Sequence, residues 1–272
     1  MRIARGISVT NTSKPISTAA AFDADAAAFF TAASITDTTQ KSAVNTLVLS
    51  LKSANIWTKM KALYPVVGGV ASAHAVNLKQ PGTYNLSFAT GWTHASTGMT
   101  PNGATYADTF LVPSTALSLN NTHLSFYSRT NVAANTHQMG SSQLTGEAQY
   151  LTLITRYVAN TAYYAINVSQ SNIGSTLVSN SDSRGFFIGS RTASNVVSGF
   201  RNSTEQLNGT VTSTTIPNTK VFLGAINAFG SAGAYSTNEC AFSSIGDGLT
   251  DTDATNFYNA VQTYQTTLGR QV

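Results

Sequence analysis

The sequence predicts a mainly β chain: a two-sheet antiparallel β-sandwich of jelly-roll type, with N-terminal helices and a C-terminal helix packed on it. Three observations predict this. Between residues 66 and 247, short apolar or alternating runs rich in Phe, Tyr, Val, Ile and Thr recur between turn signals. No strand–helix–strand alternation interrupts them, which excludes a doubly wound parallel sheet. Helical periodicity is confined to the two flanks.

Residues 1–21 read as an arm, polar and aperiodic, with Lys14-Pro15 inside it. It is either a frayed terminus or a segment that orders on a neighbouring subunit. Residues 22–65 read as a helical segment. Asp23 is placed to cap a helix over 24–33, anchored by Phe29 and Phe30. Asp37 and Gln40 have capping-box spacing ahead of a second helix. Its Ala43, Val44, Leu47, Val48 and Leu51 make one apolar stripe. A third helical stretch is expected over 56–64, from the spacing of Ile56, Met60 and Leu63, with Pro65 stopping it.

Residues 66–272 read as the sandwich and its closing helix. Gly68-Gly69, Pro81-Gly82, Pro101-Asn102-Gly103 and Asn208-Gly209 read as turns. Strands are expected over 86–90, 106–111, 122–129, 150–157, 162–167, 185–190, 196–201, 205–211, 220–228 and 239–245. The pairs Leu124/Phe126 and Leu151/Leu153 show the period of two that puts apolar side chains on one face. Over 250–268 the period returns to helical. Thr250 and Asp253 can form a capping box, Phe257, Tyr258, Val261, Tyr264 and Leu268 make the stripe, and Gly269 sits where a helix stops.

Composition narrows the function classes. Only 10% of the 272 residues are charged, against about 25% in an ordinary globular chain. Ser and Thr number 70 and Asn 22, so the surface is built from neutral hydroxyls and amides. The net charge of +4 is scattered, and without a Lys/Arg stripe no nucleic-acid partner is expected. No apolar run of about 18 residues occurs, so no membrane insertion is expected. Residues 1–15 lack the apolar core of a secretory signal. The single cysteine, Cys240, excludes an internal disulfide and reads as a small buried residue.

Several segments together carry a family resemblance. They are Asn55-Ile56-Trp57-Thr58-Lys59-Met60-Lys61-Ala62-Leu63-Tyr64-Pro65-Val66-Val67-Gly68-Gly69, then Asn77-Leu78-Lys79, then Gly91-Trp92-Thr93-His94 running on to Pro101-Asn102-Gly103 and Tyr106-Ala107-Asp108-Thr109, and finally Phe242-Ser243-Ser244-Ile245-Gly246-Asp247-Gly248-Leu249-Thr250 with Leu268-Gly269-Arg270. This series, from about residue 22 to the end, resembles bacteriophage virion structural proteins with a laminin-G-like, concanavalin A-like jelly-roll domain. The resemblance implies a non-enzymatic virion component, in tail, fibre or capsid decoration, located in the virion. It implies other virion proteins as partners and assembly through the arm and helical region as a homo-oligomer, a trimer among the options. It does not by itself assign sugar binding, because one fold hosts many functions.

The residues were also read for chemistry. A glycoside hydrolase needs two carboxylates at the site, about 5–10 Å apart. With the helix-start acids set aside, Asp108, Glu147, Asp182, Glu205, Glu239 and Asp247 remain, and no two share a strand at productive spacing. His74, His94, His123 and His137 lack metal-type spacing. No cofactor is expected, with one calcium site made from a single Asp, Asn side chains and carbonyls left open. Carbohydrate recognition fits the neutral polar surface best, because sugars take aromatic faces plus amide and hydroxyl hydrogen bonds. The candidate binding residues are Trp92, His94, Tyr106, Asn131, His137, Arg184 and Tyr235. Trp92 and Tyr106 have a competing reading as core or interface residues. The functional expectations are therefore a virion structural component, a lectin-like reader of host surface glycans, and a glycan hydrolase, in that order.

Overall fold

The structure, a computed structural model, describes Met1 and residues 21–272. The expected arm otherwise lies outside the described residues. The chain begins with helices α1 (Ala24–Ala32) and α2 (Thr38–Ser53) and strand β1 (Met60–Tyr64). After the short α3 (Ala71–His74) come β2 (Ser87–Phe88), β3 (Trp92–His94), β4 (Met99–Pro101) and β5 (Ala107–Asp108). The short α4 (Pro113–Ala116) leads to β6 (Thr122–Ser128), β7 (Met139–Thr145), β8 (Glu147–Ile154) and β9 (Thr161–Ser169). Then follow β10 (Leu177–Ser179), β11 (Gly185–Ala193), β12 (Val196–Arg201) and β13 (Thr204–Thr210). The last strands are β14 (Phe222–Leu223), β15 (Ile226–Ala228), β16 (Ser231–Gly233) and β17 (Cys240–Gly246), and α5 (Asp251–Thr267) closes the chain.

The strands form two sheets. An eight-stranded sheet runs β13-β12-β11-β6-β17-β4-β3, with β1 also on β17. A nine-stranded sheet runs β10-β9-β8-β7-β14-β5-β2, with the β15–β16 hairpin beside β7. Pairing is antiparallel throughout except for β15 against β7. The expected sandwich is present, and the eight-stranded sheet is buried on both sides. Leu124, Phe126, Phe187, Val197 and Ile245 face the other sheet, where Leu151, Leu153, Tyr164 and Ile166 meet them. Tyr127, Phe186, Ile188, Phe200 and Phe242 face the helices. Phe257 of α5 stands edge-on to Phe186 at 5.1 Å and to Phe242 at 5.8 Å between ring centroids. Burying one such ring contributes about 2–3 kcal/mol.

Local chemistry explains the helix ends. Asp23 accepts the Asp25 amide hydrogen and binds Lys52 of α2 at 2.7 Å, so the cap of α1 also fastens it to its neighbour. Asp37 accepts from the Gln40 amide, but the Gln40 side chain accepts from Gly68 N–H instead of closing the box. Thr250 and Asp253 do form the full capping box. Beyond α5, the buried Arg270 guanidinium donates to the carbonyls of Pro65, Val66 and Ala241 and so locks the helix end onto the sheet.

Three sequence expectations are corrected. Residues 56–64 are not a helix: Trp57–Lys59 is a single 3-10 turn and β1 follows it. The register of β1 on β17 shifts between Met60 and Ala62. That bulge puts Met60 and Leu63 on the helix side and Ala62 and Tyr64 in the sandwich, which mimics helical spacing. The expected strand 220–228 is split into β14 and β15 by Gly224, at φ 79°. Asn208-Gly209 lies within β13, not in a turn. Strand β7 went unpredicted because Gly140, Ser141 and Ser142 are small and polar although buried.

Candidate functional site

A polar recess lies at the tip of the β12–β13 hairpin. Arg201 pairs with Thr204, which leaves Asn202 and Ser203 as the two-residue turn. Asn202 adopts φ 55°, a left-handed conformation that Asn tolerates better than most residues. Its amide donates to Phe186 O at 2.7 Å and its Oδ1 accepts from Phe186 N–H at 2.9 Å, so the tip is pinned to β11. Arg201, Asn202, Ser203, Thr204 and Gln206 line an open pocket of about 470 Å³, and Tyr258 of α5 forms its other wall.

The lining side chains are held by one end and offered by the other. Gln206 Oε1 accepts a 2.6 Å hydrogen bond from the buried Tyr164 hydroxyl, and among the described residues its Nε2 has no partner. Asn202 Nδ2 is free in the same way, because Oδ1 is taken by β11. The Ser203 and Thr204 hydroxyls add further donors. Tyr258 is half-buried against the helix-side core. The pocket therefore offers prepositioned neutral donors beside a phenol ring, a pairing that suits a hydroxylated sugar ring.

One arginine, Arg201, lines the pocket. Arg201 donates through Nε to Arg184 O at 3.1 Å and through Nη1 to Asn180 Oδ1 at 3.3 Å. Its Nη2 and that of Arg184 each lie 3.1 Å from Asp182 Oδ2. The Arg184 guanidinium hydrogen-bonded to Asp182 is the main reason that this carboxyl is held below its ordinary range. Arg156 donates to Asn131 Oδ1 at 2.9 Å, and the same oxygen accepts from Ser183 N–H at 3.0 Å.

The seven expected binding residues do not form one site. Asn131 and Arg184 are joined through Ser183, and the Arg184 carbonyl accepts from Arg201 of the pocket wall. Trp92 and His94 share β3 and stack at 6.5 Å between ring centroids, with Phe88 against both. Trp92 is half-buried on Pro101 and Gly224, and His94 lies 2.9 Å from the buried His74 through their Nδ1 atoms. Tyr106 stacks on Phe222 at 4.3 Å. His137 donates through Nδ1 to Thr152 Oγ1 at 2.6 Å, because that hydroxyl already donates to Met139 O. Burial pushes the His137 imidazole down to about 4. Its amide bonds Ala234 O, next to Tyr235, whose hydroxyl is spent on Ala232 O. Gln206, Asn202, Ser203, Thr204 and Tyr258 were missed. Tyr258 reads as part of the core stripe, and the turn signal at Asn208-Gly209 draws attention from the true turn.

Four of the six acids of the strand region are paired with basic side chains. Asp108 binds Lys220, Asp182 binds Arg184 and Arg201, Glu239 binds Arg129, and Asp247 binds Lys61. Among the described residues no group of three His, Cys, Asp or Glu side chains could hold a metal. A buried serine–histidine contact exists, with His123 Nε2 2.9 Å from Ser244 Oγ. Both residues are fully buried in the sheet, where no substrate reaches them. No helix of the described residues is long and apolar enough to cross a membrane.

No family model and no curated protein matches the sequence. Solved structures do match. Trypanosoma rangeli sialidase in complex with sialic acid aligns with a TM-score of 0.51 and 9% identity, over 79% of this chain and 38% of its own. The same sialidase with the inhibitor DANA aligns at 0.47 and 11%, over 79% and 38%. Domain 4 of AbnA, a GH43 extracellular arabinanase from Geobacillus stearothermophilus, in complex with arabinotriose, aligns at 0.41 and 12%, over 73% and 98%. The chain thus spans well under half the length of the sialidase, and the first of these likenesses supports the sandwich fold. That first neighbour corrects the leading functional expectation. A non-enzymatic structural component of a phage virion was expected; the solved structure that shares the fold at a TM-score of 0.51 is instead a sialidase in complex with sialic acid, and that expectation is withdrawn.

Proposed function

We propose that this chain is a glycan-binding β-sandwich that holds a sugar in the hairpin pocket and does not hydrolyse it. One observation carries the reading: the donors of Asn202 and Gln206 are fixed by bonds from their own oxygens to the fold, beside the ring of Tyr258. Fixed donors cost little rotamer entropy when a ligand arrives, so neutral hydrogen bonds translate into affinity. The pairing of Asp108, Asp182, Glu239 and Asp247 with basic partners supports binding without turnover. Arg184 holds the Asp182 carboxyl below its ordinary range, whereas a glycosidase keeps one carboxyl protonated as an acid.

A glycan array followed by a reducing-end assay on the same hits tests this. The expected outcome is retention of one sugar class with no release of reducing ends. Retention of no sugar, or steady release of reducing ends, contradicts it.

A further inference from the structure

We propose that the pocket selects glycans bearing an anionic group, a carboxylate or a sulfate ester, through Arg201 on its wall and the Arg184 bonded to it. This rests on the glycan-binding reading above. Arg184 and Arg201 share Asp182, which among the described residues is the only carboxylate bonded to either. The guanidiniums of Arg184 and Arg201 therefore face one compensating charge. Glu205, the nearest acid along the hairpin, is exposed and bonded to neither.

The contrast with the lysines is informative. Lys52, Lys59, Lys61 and Lys220 are each paired with an aspartate. Arg184 and Arg201 instead share one carboxylate, so beside the pocket one positive charge is left over. It is also held in place: Arg201 is bonded to the Arg184 carbonyl. The Arg184 side chain is 51% exposed, so a ligand can reach it. Guanidiniums match carboxylate and sulfate oxygens geometrically, and the charge-assisted bonds are stronger than neutral ones.

Calorimetric titration of the full chain with three matched oligosaccharides tests this: one neutral, one carrying a uronate carboxylate, and one sulfated. At low salt at least one acidic form is expected to bind about tenfold tighter than the neutral form, the scale of one or two charge-assisted bonds. The two acidic arms distinguish carboxylate from sulfate. Arg184→Ala is expected to bring the ratio close to one. Equal affinity for neutral and acidic forms overturns the inference but leaves glycan binding intact, as does a ratio unchanged in Arg184→Ala. Binding of none of the three overturns both.

Discussion

The amide of Gln206 faces two environments, with its oxygen on the buried Tyr164 hydroxyl and its nitrogen open to the pocket. Gln206→Glu keeps an acceptor for Tyr164 and removes the donors. It is expected to weaken sugar binding about tenfold or more while moving the urea midpoint little, because no buried hydroxyl is orphaned. Equal binding by the variant, checked by calorimetry, removes Gln206 from the site. His123 gives a prediction about stability. Its Nδ1–H donates to Asp247 O at 2.6 Å and burial pushes the imidazole down to about 4 from the ordinary 6.5. The unfolded chain therefore takes up a proton first as pH falls, so this stability is complete above about pH 6.5 and is lost toward pH 4. At pH 5 the loss from His123 alone is about 2 kcal/mol, and the other histidines add to it. Urea midpoints at pH 7.5 and 5 check this, and equal midpoints contradict it. Neither role was legible in the sequence, since both arise from partners more than 40 residues away.

Among the elements, legibility followed the number of buried faces. α2 and α5 bury one stripe each and were readable from spacing and caps. β1 is covered on both sides and bulged, so its apolar residues repeat every three positions and imitate a helix. β7 fails in the opposite sense, because its buried positions are Gly and Ser whose polar groups are satisfied by Thr219 and Asn227. The β1–β17 pairing predicts a sharp sensitivity. A Cβ on Gly246 would sit 2.7 Å from His123 Cε1 and closer still to the Lys59 carbonyl, which is backbone and cannot rotate away. Gly246→Ala is expected to cost about 1–3 kcal/mol, read as a lower thermal midpoint. An unchanged midpoint means that β1 is not held against β17 as described. Thr250→Ala is expected to cost about 1 kcal/mol through loss of the capping box.

Across the whole molecule, the layer order of helices, buried sheet and second sheet follows from one asymmetry: the eight-stranded sheet carries apolar side chains on both faces, so something must cover each. The sandwich and its flanking helices were legible because short β-rich runs and helical periodicity occupy separate stretches of chain. The pocket was not, because it joins a hairpin turn to a helix more than 50 residues further along. None of the expected binding residues lines it, and Arg184 adjoins it through its carbonyl, which accepts from Arg201. The central claim is that the hairpin tip, and no aromatic cluster elsewhere, receives the sugar. Backbone amide chemical shifts recorded while a sugar retained on the array is titrated in test this most directly. The account predicts shifts centred on Asn202, Ser203, Thr204, Gln206 and Tyr258, with Trp92, Tyr106 and His137 unmoved. Shifts centred on Trp92 and His94, with the hairpin silent, would contradict it.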